Sequence, residues 1–243
     1  MPECPRSIVV AVDFGRASAR AVAAGGAIAE RCGATLRLLH AEPFDAPVYF
    51  TAEQLDALRG DEPQNRERAR VAVTQFGRQH TSYPFIAEVE DRAPVDAILH
   101  AAATADLVVM GTHGRRGASR WWLGSVAERV LRESPVPLLI EHANGSNAGS
   151  AEFRHVLVQA MPPLAGDATA RYAETLARRF NGIVEDRRGV APAIVADLFG
   201  TLVAVACPVP RTAAWLVAAG EPLVRGCTRP VLFVPESAGG EPV

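Results

Sequence analysis

The chain has 243 residues, 49% of them apolar, which is enough for one large domain or two modest ones. Because 25 basic residues balance 27 acidic ones, the overall charge favours neither nucleic acid nor an anionic membrane surface as partner. No apolar run reaches the roughly 18 residues of a membrane-spanning helix, and the start, MPECPRSIVVAVDF, lacks a signal-peptide pattern. We therefore expect a cytoplasmic protein in which any anion site is local.

The four cysteines give no sign of a disulfide framework or a zinc site. Cys4, Cys32, Cys207 and Cys227 form no CxxC pair, and no histidines stand at metal-ligand spacing. The sequence predicts that they are isolated small apolar residues.

Strands and helices alternate along the first 142 residues. Continuous apolar runs, typical of strands buried on both faces, predict strands at 7–13, 34–41, 85–90, 106–111 and 136–141. Helical spacing predicts helices at 17–32, about 64–79, 94–105 and 125–133, with a long connection at 42–62. This alternation indicates an α/β fold with an open parallel sheet covered by helices on both faces.

The second part of the chain repeats the first in a shortened form. The segment at 143–152 is rich in Gly, Ser and Asn and is predicted to be a linker between domains at 1–142 and 153–236, with a tail at 237–243. Beyond it, RHVLVQAM (154–161) is similar to RSIVVAVD (6–13), and VEDRRGVAPAIV (184–195) to VEDRAPVDAIL (89–99). The second copy lacks the part corresponding to the second strand, the long connection and the second helix.

A glycine-rich turn after the fourth predicted strand is the strongest candidate for chemistry. Gly111 and Gly114 are followed by Gly124 and Ser125 at the start of a helix. Glycines let backbone N–H groups approach an anion, and a helix N-terminus offers free N–H groups. The same pattern fits a tight turn in which Ser125 caps its own helix, and local physics leaves both interpretations open.

The spacing Gly111-x2-Gly114-x9-Gly124-Ser125, flanked by ADLVVM and VAERVLRESPVPLL, resembles the ATP-binding signature of the universal stress protein family. Asp13 in VVAVDFGRAS matches that family's usual start. The resemblance implies a five-stranded sheet of order 3-2-1-4-5, as in adenine nucleotide alpha hydrolase-like folds, that binds ATP, ADP or AMP, alone or with Mg²⁺. It covers 6–142 well and 153–235 more weakly, so the whole chain resembles a tandem member.

The resemblance also implies a role for each matching residue. Asp13 would contact the nucleoside, and Val12 and Ala41 would line the adenine pocket. The ribose and phosphates would be held by Gly111, Gly114, Gly124, Ser125 and Val126, helped by Met110, His113 and Arg115. Arg115, with Arg116 and Arg120, fits equally a solvated surface loop, and His40, at a strand end, is interpreted as an ordinary polar residue.

The second copy departs from the family's pattern. Met161 stands where Asp13 does, CPVP (207–210) replaces GTHG, and the Gly124-Ser125 pair falls near Val217-Ala218. A proline removes a backbone donor and an alanine removes the hydroxyl. We expect this copy to bind no nucleotide and to replace, as a pseudo-dimer partner, the second subunit of single-domain relatives; a homodimer of the whole chain stays open.

The leading hypothesis is a nucleotide-binding stress or signalling protein. A slow ATPase and a nucleotide-free interaction module are the alternatives. No carboxylate pair suited to Mg²⁺ and no general base stands out in the sequence, so binding is favoured over catalysis.

Overall fold

The computed structural model describes residues 4–43, 52–112, 124–143, 153–161, 164–189, 202–209, 211, 215, 223–224, 227 and 229–236; for 52–62 only the helical backbone is described. The strands are β1 (Ser7–Ala11), β2 (Thr35–Ala41), β3 (Ile86–Glu90), β4 (Leu107–Thr112), β5 (Leu138–His142), β6 (His155–Gln159), β7 (Ile183–Asp186), β8 (Leu202–Pro208) and β9 (Val231–Glu236). The helices are α1 (Arg16–Cys32), α2 (Ala52–His80), α3 (Pro94–Ala102), α4 (Ser125–Glu133) and α5 (Asp167–Arg179).

All nine described strands form one sheet, in the order β3-β2-β1-β4-β5-β9-β8-β6-β7. The first five keep the expected order 3-2-1-4-5, and each of their pairings is parallel. The five-stranded sheet expected from the sequence is therefore only the first part of a larger, mostly parallel sheet. The fold is α/β, as predicted.

The two parts of the sheet join through one antiparallel pair. Ile140 of β5 lies opposite Val231 of β9, and Leu138 lies opposite Phe233. Beyond β9 the pairings are parallel again, and β7 lies beside β6 where β2 lies beside β1. The shorter second part thus has one described strand fewer than the first.

Helices cover both faces of this sheet. Side chains of α1, α2 and α5, such as Val22, Val73 and Leu176, pack with one face. Side chains of α3 and α4, such as Ile98 and Val130, pack with the other. Both clusters continue from the first part of the chain into the second, because residues of β6, β8 and β9 belong to each. Among the described helices, none has the length and apolarity needed to cross a membrane.

Helix α2 is longer than the sequence predicts. It runs from Ala52 to His80 and contains Pro63, whereas the predicted helix began near Gln64, after a connection at 42–62. A proline removes one helical hydrogen bond and is normally found at a helix start. Here the helix continues through it, so part of the expected connection is helical.

The expectation that all four cysteines are isolated is wrong for two of them. Cys4 and Cys32 form a disulfide, with their Cα atoms 6.0 Å apart. Because α1 runs antiparallel to β1, its last residue returns to the edge of the sheet where β1 begins, and Cys4 precedes β1. The 28-residue separation alone did not reveal this approach. Cys207 and Cys227 are free and buried, as predicted.

Candidate functional site

The candidate site lies at the carboxyl edge of the first five strands, where β1, β2 and β4 end. The N–H of Val12 donates to the carbonyl of Leu39 at 2.8 Å, which continues the β1–β2 ladder one residue beyond β1. Val12 is buried, and the following residue, Asp13, is exposed. Ligands of open parallel sheets bind at this edge, so the fold carries Asp13 to the edge where the sequence predicted it.

Asp13 is held in a turn at the start of α1. Its Oδ1 accepts a hydrogen bond from the N–H of Gly15 at 2.9 Å, and its own N–H donates to Oγ of Ser18 at 3.3 Å. These bonds fix the backbone of the turn while the Asp13 side chain stays exposed. Its carboxylate is therefore both a turn former and accessible to a ligand.

An aromatic cluster that was not predicted from the sequence flanks this turn. Phe14 has a φ of 62°, in the left-handed region, and remains 41% exposed. Its ring centroid lies 4.7 Å from that of His40 and 5.5 Å from that of Phe76. Nδ1 of His40 lies 2.8 Å from the carbonyl oxygen of Val12, and since that oxygen can only accept, Nδ1 carries the proton. His40 is thus a partner of the Asp13 segment, not an ordinary polar residue.

Gly111, near the end of β4, is required by packing. A Cβ at this position would lie 2.5 Å from the carbonyl carbon of Ala17 and 2.6 Å from the backbone nitrogen of Ser18. Only glycine therefore lets the first turn of α1 approach β4 so closely. Its presence is explained by the fold without any ligand.

At the N-terminus of α4, no side chain of the described residues bonds the first N–H groups. Gly124 is its N-cap, with φ −56° and ψ 150°, and as a glycine it has no side chain to cap the helix. Ser125 is the first helical residue and is exposed, so the interpretation of Ser125 as the cap of its own helix is wrong. A Cβ on Gly124 would meet nothing within 4 Å. The described part of the fold does not require glycine here, and among the described residues no side chain accepts from the first N–H groups of α4.

Three further residues expected at the site are partly or fully covered by the core. Met110 is 4% exposed and packs with the α3 and α4 side chains. Ala41 and Val126 are half-buried against the same cluster. Met110 can therefore contribute through its backbone, whereas Ala41 and Val126 retain some exposed surface.

The remaining expected residues, His113, Gly114 and Arg115, lie outside the described residues, as do Arg116 and Arg120. Their roles stay predictions.

Two buried polar groups lie at the end of β5, at the same edge. Glu141 is 3% exposed and pairs with Nε of Arg20 at 3.3 Å. Burial raises the pKa of Glu141 to about 7, although Arg20 opposes the shift. Burial, with the charge of Arg20, lowers the pKa of His142 to about 4. The Glu141 carboxyl therefore titrates near neutral pH, and His142 is neutral there.

At the corresponding edge of the second part, a carboxylate of the chain itself bonds the N-terminus of a helix. Glu236, at the end of β9, is buried and accepts from the N–H of Gly166 at 2.9 Å and of Thr169 at 2.6 Å, at the mouth of α5. Oγ1 of Thr169 donates to it as well, at 2.9 Å. In the first part, α1 has neither a side-chain cap nor an acidic residue in its first turn. The N-terminus of α5 is thus occupied by a buried carboxylate, whereas the carboxylates near the other two helix starts, Asp13 at α1 and Glu128 in the first turn of α4, are not buried.

Within the described ranges, no three His, Cys, Asp or Glu residues are grouped so as to hold a metal ion.

The fold and this edge define the class, an open α/β protein with candidate ligand residues beyond the carboxyl ends of its strands. The model of the universal stress protein family matches residues 5–142, more than half of the chain, and the chain belongs to this family. It is 32% identical over 141 residues to the universal stress protein in QAH/OAS sulfhydrylase 3'region of Thermus aquaticus. That match covers 56% of this chain and 97% of the relative.

A solved structure shares the fold over nearly the whole chain. A universal stress protein from Archaeoglobus fulgidus matches with a TM-score of 0.65 and 16% identity, covering 95% of this chain and 96% of that one. A universal stress protein crystallised in complex with cAMP is 28% identical and covers 58% of this chain and 98% of its own, with a TM-score of 0.41.

Proposed function

We propose that the first part of the chain, residues 1–142, binds an adenine nucleotide. The ligand is ATP, ADP or AMP, with or without Mg²⁺. Its nucleoside lies against Asp13, Val12 and Ala41, and its phosphates lie at the N-terminus of α4, with the segment containing His113, Gly114 and Arg115.

The observation that carries the proposal is the N-terminus of α4, whose first N–H groups no described side chain bonds. Free N–H groups at a helix start attract anions through hydrogen bonds and the helix dipole. Gly124 leaves space above them, and no atom of the described residues lies close enough to explain why a glycine is used there. Ser125 adds an exposed hydroxyl that is not engaged in capping. A phosphate accounts for all three features at once.

We further propose that residues 153–236 form a shortened second copy, reached through the linker at 143–152 and followed by the tail at 237–243. The antiparallel β5–β9 pair supports this assignment, because two copies related by a two-fold axis would meet through such a pair. The internal carboxylate of Glu236 supports a copy that binds no nucleotide. This copy acts as the intramolecular partner of the first in a stress or signalling role.

Titration calorimetry with ATP tests the nucleotide proposal. Wild-type protein is expected to bind one ATP per chain, and Ser125→Ala to bind it about fivefold more weakly, because one hydrogen bond to a phosphate is lost. The substitution leaves the fold intact, since the hydroxyl caps nothing.

Thr74→Ala is the matched control, because it removes a hydroxyl whose partner among the described residues is the Arg70 carbonyl on α2. Its affinity should equal that of the wild type. Absence of ATP, ADP and AMP binding by the wild type would refute the proposal, and steady ADP production would favour the ATPase alternative.

A further inference from the structure

A buried arginine from the second part of the chain reaches the helix that carries the candidate phosphate site. Arg211 is 6% exposed. Its Nη1 donates to the carbonyl of Leu131 at 2.6 Å and to that of Ser134 at 2.7 Å. Its Nε lies 3.1 Å from Sγ of Cys207. The guanidinium is therefore fixed at the C-terminus of α4, between the two parts of the chain.

These contacts supply what α4 lacks at this end. The helix ends at Glu133, and its C-cap, Ser134, is extended, with φ −61° and ψ 125°, so no left-handed residue closes the last turn. The last carbonyls of a helix need donors, and a cation at the negative end of its dipole is stabilising. Arg211 provides both the donor and the charge.

The contacts of Arg211 matter because α4 is short and buries few of its residues. Only three of its nine residues, Ala127, Val130 and Leu131, are buried. Its own basic residue in the last turn, Arg132, pairs with Glu128 on the exposed side of the same helix. Among the described contacts, the hydrogen bonds of Arg211 thus join the C-terminal end of α4 to the second part of the chain.

The sequence gives this arginine an informative position. CPVPR (207–211) stands in the second copy where GTHGR (111–115) stands in the first. The motif that has lost its glycines therefore places its arginine against the first copy's helix.

We propose that Arg211 is a positioning residue for the nucleotide site: by holding the C-terminus of α4 it fixes the N–H groups at the other end for the phosphates. This inference rests on the proposed function. It implies that the second part supports nucleotide binding without touching the ligand.

Calorimetry on three variants of the full chain tests the proposal, with ATP and adenosine as ligands. Arg211→Met keeps the length of the side chain and removes the donors. It should weaken ATP binding about fivefold to tenfold and leave adenosine binding unchanged, because adenosine has no phosphate. Arg211→Lys keeps the charge but lacks the planar guanidinium. It should lose less ATP affinity than Arg211→Met. Arg178→Met is the control, because this exposed arginine bonds only a carbonyl of its own helix.

Hydrogen exchange of the ligand-free variants gives a second readout. The amides of Ser125–Glu133 should exchange faster in Arg211→Met than in the wild type, and those of Pro94–Ala102 should not. Unchanged ATP affinity in Arg211→Met, or an equal loss for adenosine, would overturn the proposal. If the Met variant does not fold, Arg211→Lys decides, since a loss confined to ATP supports the proposal and no loss overturns it.

A wild-type chain that binds no ATP would instead refute the proposed function. The exchange of the α4 amides would then still show whether Arg211 holds the helix.

Discussion

Gly111 and Gly124 belong to the same motif and do different things in the molecule. Gly111 lets the backbone of Ala17 and Ser18 approach β4, whereas Gly124 stands beside open space. In the sequence, both glycines fit a tight turn as well as a phosphate site, because the sequence does not show which atoms a Cβ would contact. Structure separates a glycine needed for packing from one that leaves space for a ligand.

This difference predicts opposite outcomes for two alanine variants. Gly111→Ala should lower the free energy of unfolding by about 1–3 kcal/mol, because backbone atoms must move to admit the methyl group. Gly124→Ala should change it by less than about 0.5 kcal/mol and should weaken ATP binding. Urea unfolding and calorimetry measure both quantities. Equal destabilisation by the two substitutions would contradict the assignment.

At the same scale, Asp13 and Ser125 could be proposed as site residues from the sequence because each follows a recognisable strand or starts a recognisable helix. Phe14 and His40 were missed for a physical reason. The left-handed backbone of Phe14 brings its ring against His40, which is distant in sequence. No local pattern encodes that contact.

At the scale of elements, periodicity predicted most strands and helices, and it failed where a local signal was overridden. The sequence predicted a connection at 42–62 and a helix from about Gln64, but α2 begins at Ala52 and continues through Pro63. The Cys4–Cys32 disulfide depended on where α1 ends relative to β1, and therefore on the fold itself. Likewise, the role of Arg211 depends on packing between two distant segments.

The disulfide makes a measurable contribution to stability. It closes a loop with a sequence separation of 28, and restricting the unfolded chain in this way is worth about 3 kcal/mol. Reductant should lower the free energy of unfolding of the wild type by about that amount. The double variant Cys4→Ser, Cys32→Ser should be as stable as the reduced wild type and insensitive to reductant. A wild type equally stable with and without reductant would argue against the bond.

At the scale of the whole molecule, the sequence predicted the strand order of the first part but not that the sheet continues across the second. Edge strands expose unpaired backbone groups. In this chain β5 is not an edge strand, because β9 pairs with it. Strand periodicity cannot tell which distant strand fills an edge. The resulting asymmetry underlies the proposed function, because Glu236 occupies the N-terminus of α5 whereas no described side chain bonds the first N–H groups of α4.

The most direct test of this asymmetry is an ATP titration of uniformly ¹⁵N-labelled protein followed by amide NMR. We predict saturable shifts at Gly111, Gly124, Ser125 and Val126, with Ala160, Gly166 and Thr169 unmoved. Shifts centred on Gly166 and Thr169, or no shift at Gly124 and Ser125 at saturating ATP, would contradict the account.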